Sequence, residues 1–406
     1  MQIPISLRHR QFFIFWLGTT FGWIGNQVLV WAIPWHIRSI TDNPLALGLV
    51  GLIRLIPTIL FSLFSGILAD TFNRKKIVFL TQALMVSISL LFAILTFTNI
   101  IKLWHIYLLL AVHATTYVVD LPARYSLTPN LVDKRNLPNA LSIELLGIQI
   151  GSLIGPILSG YSINRFGQSS AYLISLSLFS MLGIALLAIG EVSQEKLIKV
   201  KSGFNWAAIQ DGIKFTFHHP LIFPSMLMDF VATSLTRADS LMPFFARDVL
   251  NLNAGQYGWL SAASAIGAVI MSTTLSQFEK IRHQGIMLIG AVMSVGLGAI
   301  VFGFSRNFIL SMMALLFIGA SDSLSSILRS GIRQHHTTDK LRGRMTSVNQ
   351  IFFMGGPYLG DVKSGFLGKL IGVPFAVSLG GFLCILSVVW ITHHWPDLSN
   401  YDNPIH

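Results

Sequence analysis

"GILADTFNRKK", residues 66–76, closes an apolar run on small residues, one carboxylate and then three cations before the next apolar run begins at Ile77. A turn this short, flanked on both sides by segments of membrane-spanning length, reads as the loop between two antiparallel spans. The rest of the chain agrees. Its 406 residues are 53% hydrophobic and 11% charged, whereas soluble domains carry about 25% charged residues, and its mean hydropathy is +0.65. A water-soluble fold needs more polar surface than this sequence owns, so lipid is the expected solvent.

Windows of about 20 residues place twelve spans, with cores at 12–35, 46–69, 77–96, 103–119, 141–163 and 171–189, then 221–245, 257–275, 286–304, 309–328, 348–367 and 373–391. Of the 28 Lys and Arg residues, 19 fall in loops on one side, among them Arg8, Arg74, Lys134, Lys199, Lys280 and Arg342, against 7 on the other. The cation-rich side is the cytoplasmic one, which places both termini in the cytoplasm. The net charge of +11 is therefore a topology signal. Spread over short loops, it does not make a nucleic-acid footprint. One cysteine, Cys384, leaves no internal disulfide, and no metal site is expected. The doublets His218-His219, His335-His336 and His393-His394 look metal-like, but helical neighbours point apart and these belong at solvated ends. Polar Asn26 and Gln27 interrupt the first apolar run, so no cleavable signal peptide is expected.

The organisation that follows is a six-helix half over 1–190, a cytoplasmic linker over 191–220, a second half over 221–393 and a tail over 394–406. Within the linker, Trp206, Ile209, Ile213 and Phe217 share one helical face, the pattern of a helix lying on the membrane surface. The halves echo one another. "VDKRNLPNALSI" precedes span 5 and "TDKLRGRMTSVN" precedes span 11, and each of those spans carries Gly-Pro, Gly155-Pro156 and Gly356-Pro357. Such duplication around a midplane site is a transporter pattern. Spans 3, 6, 9 and 12 hold no charge in their cores, so they can face lipid all round. Spans 1, 4, 7 and 10 hold most of the costly groups: Asn26 and Gln27; His113, Thr115, Thr116 and Asp120; Asp229, Thr233, Thr236, Arg237 and Asp239; Ser321 and Asp322. A charge at bilayer depth costs about 3 kcal/mol, so every third helix is expected to line a wet space.

These features together resemble the major facilitator superfamily of secondary transporters, an all-α polytopic membrane fold of twelve transmembrane helices in two six-helix halves. The opening stretch is similar to that superfamily's loop 2-3 signature at Gly66, Ala69, Asp70, Arg74, Lys75 and Lys76. The resemblance implies a cytoplasmic latch, in which Asp70 meets a cation and the positive N-terminal end of span 11. "GSLIGPILSG" resembles the superfamily's antiporter signature at Gly151, Gly155, Pro156 and Gly160, with Ser159 where glycine is preferred; it implies export, while helix packing explains the same small residues. Stretches such as "GLIRLIPTILFSLFSGILAD" and "LMDFVATSLTRADSLMPFFARDVL" are similar to the enterobactin-exporter-like branch of siderophore and drug exporters.

The expected function is proton-coupled export of a small amphiphilic molecule by alternating access, with no enzyme activity, no cofactor beyond the proton gradient and no resident metal. The expected partners are the substrate, protons and the lipid bilayer, for a monomer in the bacterial cytoplasmic membrane. Asp229 leads the proton-coupling candidates, followed by Glu144 and Asp322. Asn26, Gln27, His113, Tyr117, Thr233 and Arg237 are the candidate cavity residues, with Trp23, Phe230 and Phe244 able to stack on a flat substrate. Glu144 also suits a helix N-terminus. Arg54 either snorkels or faces the cavity, and Asp361 with Lys363 is a candidate outer gate pair. Import on the same fold and a non-transporting sensor remain alternatives. A membrane enzyme would need a catalytic cluster or phosphate-binding loop, and neither pattern is present.

Overall fold

A computed structural model of the chain describes residues 4–190, 192, 214–278, 281–337 and 339–402. Among these residues the regular structure is helical. Twelve long helices follow in order: α1 (Arg10–Ile40), α2 (Pro44–Thr71), α3 (Arg74–Phe97), α4 (Leu103–Tyr125), α5 (Leu137–Phe166), α6 (Gln168–Ala188), α7 (Ile222–Thr236), α8 (Ala254–Leu275), α9 (Gln284–Phe304), α10 (Phe308–His336), α11 (Asp339–Ile371) and α12 (Val373–His394). Ten helices are long and apolar enough to cross a membrane. The exceptions are α7, which stops after 15 residues, and α11, whose first turns carry Asp339, Lys340, Arg342 and Arg344. The linker face expected at Trp206, Ile209 and Ile213 lies outside the described residues, although 214–218, including Phe217, is helical.

Side chains and glycines set the helix ends. Asn73 caps α3 by accepting from the Lys76 amide at 3.1 Å, and Asn307 caps α10 by accepting from Ile309 and Leu310 at 2.9 and 3.3 Å. The sharp α5–α6 and α11–α12 turns use Gly167 at φ 87° and Gly372 at φ 86°, a left-handed conformation that side chains disfavour. These turns occupy equivalent places in the two halves.

The chain divides into two compact units: Met1–Asp42, Ile56–Val200 and Leu252–Ala262 in one, and Asn43–Leu55, Lys201–Asn251 and Ala263–His406 in the other. The start of α2 thus belongs with the C-terminal helices, and the start of α8 with the N-terminal ones.

In the first unit α1 packs on α5 and α6. A Cβ on Gly18 would lie 2.5 Å from Ala185, and one on Gly155 would lie 2.3 Å from the Gln27 Cβ, so these backbones meet with no room for a side chain. Near its other end α5 meets α8, where a Cβ on Gly160 would lie 2.3 Å from the Ala254 carbonyl oxygen and 2.7 Å from the Gly258 Cα. The second unit repeats the plan. A Cβ on Gly356 of α11 would lie 2.1 Å from Thr233 Oγ1 of α7, and one on Gly365 would lie 2.4 Å from the Gly48 Cα of α2. The Gly-Pro echo of the sequence is therefore a packing rule: α5 is to α1 and α8 what α11 is to α7 and α2.

The expectation that α3, α6, α9 and α12 face lipid all round is corrected. Each has one packed face. Phe92 of α3 stacks on Tyr172 of α6 at 4.8 Å, and a Cβ on Gly296 of α9 would lie 2.8 Å from the Gly381 carbonyl oxygen of α12. Their other faces carry exposed apolar residues such as Leu80, Leu84 and Leu91 on α3 and Phe375, Phe382 and Trp390 on α12, as lipid contact requires.

Candidate functional site

In the second unit, a continuous span over 221–245 was the expectation, and the structure breaks it. After Thr236 the backbone leaves the helix at Arg237, which is extended (φ −68°, ψ 132°). Helix resumes in short turns over Asp239–Leu241, Met242–Phe244 and a π-helical Phe245–Val249. A break within the membrane frees backbone groups that must find partners in the protein. Three side chains of α11 supply them. Lys363 Nζ donates to the Leu235 carbonyl, Ser364 Oγ donates to the Arg237 carbonyl at 3.1 Å, and Asp361 accepts from the Ser240 amide at 3.0 Å. Asp361 and Lys363, expected as an outer gate pair, each bond to the backbone at the broken end of α7. Arg54, in the part of α2 that belongs to this unit, lies within electrostatic reach of Asp361.

The break turns Arg237 toward carboxylates, donating to Asp239 at 3.0 Å and to Asp322 of α10 at 3.4 Å. These groups stay open, with side-chain exposures of 40% for Arg237 and 31% for Asp322. One step away, Arg329 of α10 pairs with Asp229 of α7 at 2.9 Å, with side chains 3% and 4% exposed, and stands 3.9 Å from Asp322. The result is an alternating ladder, Asp229, Arg329, Asp322, Arg237, Asp239, sealed at one end and accessible at the other. The hydroxyls of α7 turn back on their own helix. Thr233 and Thr236 hydroxyls return to the Asp229 and Ala232 carbonyls at 2.8 and 2.6 Å, and buried Thr233 sits against Gly356. Phe230 packs on Phe352 in an edge contact at 5.8 Å.

The first unit holds a second polar cluster. Asp120 of α4 accepts from Thr81 at 2.6 Å and Gln82 at 3.0 Å, both on α3, and its other oxygen is bound by Arg124 one turn on. The Arg124 guanidinium lies 5.1 Å from the Trp23 ring centroid, a favourable cation–π distance. Trp23 meets Tyr117 edge-on at 6.1 Å, and Tyr117 stacks with His113 at 6.5 Å. Gln27 donates to Ser152 at 3.2 Å, and Asn26 is half-buried with its Oδ1 atom enclosed. His113, Tyr117 and Trp23 are thus brought together. Glu144 of α5 lies about two turns inside its helix, beyond the first-turn reach of the helix dipole. It is 7% exposed and accepts from the Thr128 hydroxyl.

At the opening motif, Arg74 ties the end of α2 to the end of α4, donating to the Ala69 and Ser126 carbonyls at 3.1 and 3.0 Å and to Asn130 at 3.3 Å. Lys75 donates to the Gly190 carbonyl beyond α6. A Cβ on Gly66 would meet nothing within 4 Å. The side chains of Asp70 and of residues 339–344 lie outside the described residues, and so does the latch expected between them. The antiporter-like residues Gly151, Gly155 and Gly160 lie in close approaches to α1 and α8. The clamp by Asp361, Lys363 and Ser364 was missed in sequence; the one available signal was a charged pair inside an apolar span.

The chain is 24% identical over 398 residues to the enterobactin exporter EntS of Escherichia coli O1:K1, covering 96% of this chain and 93% of that one. The enterobactin exporter of E. coli strain UTI89 is likewise 24% identical, over 402 residues. In structure the chain is similar to a bacterial homologue of the iron transporter ferroportin in an inward-facing state (TM-score 0.71, 17% identity, covering 97% of this chain and 99% of that one). It is similar also to a bacterial homologue of the human lysosomal transporter Spinster (TM-score 0.72, 13% identity, 98% and 97% covered). At such identities these likenesses speak for the fold. A family model described as transmembrane secretion effector matches residues 4–403, and with the twelve helices and their paired glycine contacts this places the chain in that family of membrane transporters, within the major facilitator superfamily.

Proposed function

We propose that this transporter exports a small amphiphilic molecule of the siderophore or drug class across the bacterial cytoplasmic membrane, by alternating access and in exchange for protons, with both termini in the cytoplasm. The observation that carries the reading is the contrast within the ladder. Asp229–Arg329 is tight and buried, a fixed element. Arg237 is 40% exposed and shared between two carboxylates at 3.0 and 3.4 Å, so donors of its planar fork remain available to a ligand. A guanidinium of this kind suits oxygen-rich anionic groups, which it binds bidentately, and displacing Asp322 from it would couple ligand binding on α7 to α10. The E. coli relatives, named as enterobactin exporters, support this substrate class.

The test is substrate-triggered proton release from everted vesicles, using catecholate siderophores and lipophilic cations in parallel. Oxygen-rich anions should elicit release in the wild type. In Arg237→Gln the half-saturating concentration should rise about 10- to 150-fold, corresponding to one lost charge-assisted hydrogen bond of about 1.5–3 kcal/mol. Equal responses to cations and anions, unchanged by the substitution, would overturn the assignment.

A further inference from the structure

We infer that Glu144 is the protein's proton-carrying carboxyl and that Arg124 is its exchangeable counter-ion; the inference deepens the proton-exchange reading above and rests on it. Every other buried carboxyl in the described clusters has its charge answered. Asp229 has Arg329 at 2.9 Å, Asp120 has Arg124, Thr81 and Gln82, and Asp361 has the Ser240 amide with Arg54 within electrostatic reach and leaves no enclosed oxygen unbonded. Glu144 differs. Thr128 donates to its Oε1, while Oε2 is shut off from solvent without a hydrogen-bond partner. Among the described residues, no cation lies within ion-pair distance of it. An ionised carboxylate in this position would leave an uncompensated charge in a low-dielectric interior, which is far costlier than leaving one neutral oxygen unbonded. The carboxylic acid is the form that fits this geometry.

Among the described residues, the titratable groups facing Glu144 are Arg124 and Tyr125, both from the end of α4. Arg124 is engaged elsewhere, by the Asp120 carboxylate and the Trp23 ring. When the alternate state of the cycle admits water to Oε2, the O–H bond breaks and the proton passes to that water; the new carboxylate then needs a cation, and among the described residues Arg124 is the one in reach. Asp120 can release it, because Thr81 and Gln82 continue to donate to Asp120. Rotation of the guanidinium toward Glu144 removes it from Trp23 and from Gly22, where a Cβ would lie 3.4 Å from Arg124 Nη1. Loss or gain of one proton on α5 thereby changes what holds α4 to α1. Such a difference between protonation states is what a proton-driven conformational equilibrium requires.

The experiment is infrared difference spectroscopy of the purified full-length protein in lipid, stepped from alkaline to neutral pH, reading the carbonyl stretch of protonated buried carboxyls. A band should rise in the wild type and in Asp229→Asn and be absent in Glu144→Gln, which keeps the oxygen that Thr128 bonds and so should fold. Thr128→Val, which removes a donor to the carboxylate, should move the midpoint to higher pH; Asp120→Asn, which loosens Arg124, should move it to lower pH. A band that survives in Glu144→Gln, or vanishes in Asp229→Asn, would overturn the inference, as would midpoints unmoved by both flanking variants. Counter-exchange of labelled catecholate in the same vesicles separates the two readings. With export correct, Glu144→Gln exchanges substrate but no longer accumulates it under a pH gradient. A normal infrared result in vesicles that move no substrate would sink the export reading and leave the proton site standing.

Discussion

Replacing Arg329 by Met should be among the most damaging single changes in the second unit. The guanidinium lies 2.9 Å from Asp229, and the two side chains are 3% and 4% exposed, so water cannot replace the lost partner. Removing one member of a buried pair costs about 3–5 kcal/mol, because the remaining charge is stranded, whereas replacing both members by apolar residues of similar volume is often close to neutral. Two further contacts push toward the upper end: Ser325 loses its 2.5 Å bond to Arg329, and Asp322, 3.9 Å from Arg329, is left facing Asp229 with less positive charge between them. The expected pattern is about 4 kcal/mol for Arg329→Met and about 1 kcal/mol for Arg329→Met with Asp229→Leu. Reversible denaturation in mixed micelles, run as a double-mutant cycle at low and high salt, measures it. A buried pair is little screened, so the coupling should persist in high salt. A single mutant costing under about 1 kcal/mol, the value for an exposed pair, or a double mutant as unstable as the two singles combined, would refute the argument.

The α11 clamp predicts that Asp361→Asn, which keeps an oxygen for the Ser240 amide, is tolerated better than Asp361→Leu. Ser364→Ala should cost about 1–3 kcal/mol by stranding the Arg237 carbonyl; thermal denaturation checks both. Adjacent glycines of α11 should behave oppositely. Gly355→Ala, whose Cβ meets nothing within 4 Å, should gain up to about 1 kcal/mol from helix propensity, while Gly356→Ala, 2.1 Å from Thr233 Oγ1, should lose about 1–3 kcal/mol. His219 accepts from the Leu221 and Ile222 amides at 3.2 and 3.3 Å through Nδ1, and burial, then the neighbouring His336, lower its pKa from 6.5. The neutral ring is therefore the folded form. Stability from this cap is complete above pH 6.5 and declines as pH falls through the lowered folded value; His219→Asn, which keeps a capping acceptor without the titration, should flatten that part of the pH–Tm curve.

How much the sequence disclosed depended on whether the decisive contact was local. Span positions follow from composition alone, and the Gly155-Pro156 and Gly356-Pro357 echo reported a repeated packing plan because each half needs a glycine at the same place. Arg237 and Asp322 were legible as costly groups. The break beside Arg237 was not, because Thr236, Arg237 and Ala238 contain no glycine or proline; what stabilises the break comes from Asp361, Lys363 and Ser364, more than a hundred residues away. Glu144 was legible as a candidate but ranked behind Asp229. Its neighbours in sequence are apolar, and the facts that single it out, a hydroxyl from Thr128 and an oxygen with no donor, exist only in three dimensions.

The membership of the two units bears on how the chain is made. The first unit includes Leu252–Ala262, and the second includes Asn43–Leu55. A ribosome must therefore translate past Ala262, well into the second half, before the first unit has all its chain, and Asn43–Leu55 emerges long before the helices it belongs with. Nascent six-helix intermediates thus carry unfinished surfaces, of the kind that invite misassembly in larger proteins. Severing the gene at the linker would yield two fragments that each hold part of the other's structure, so they should mature only when co-expressed.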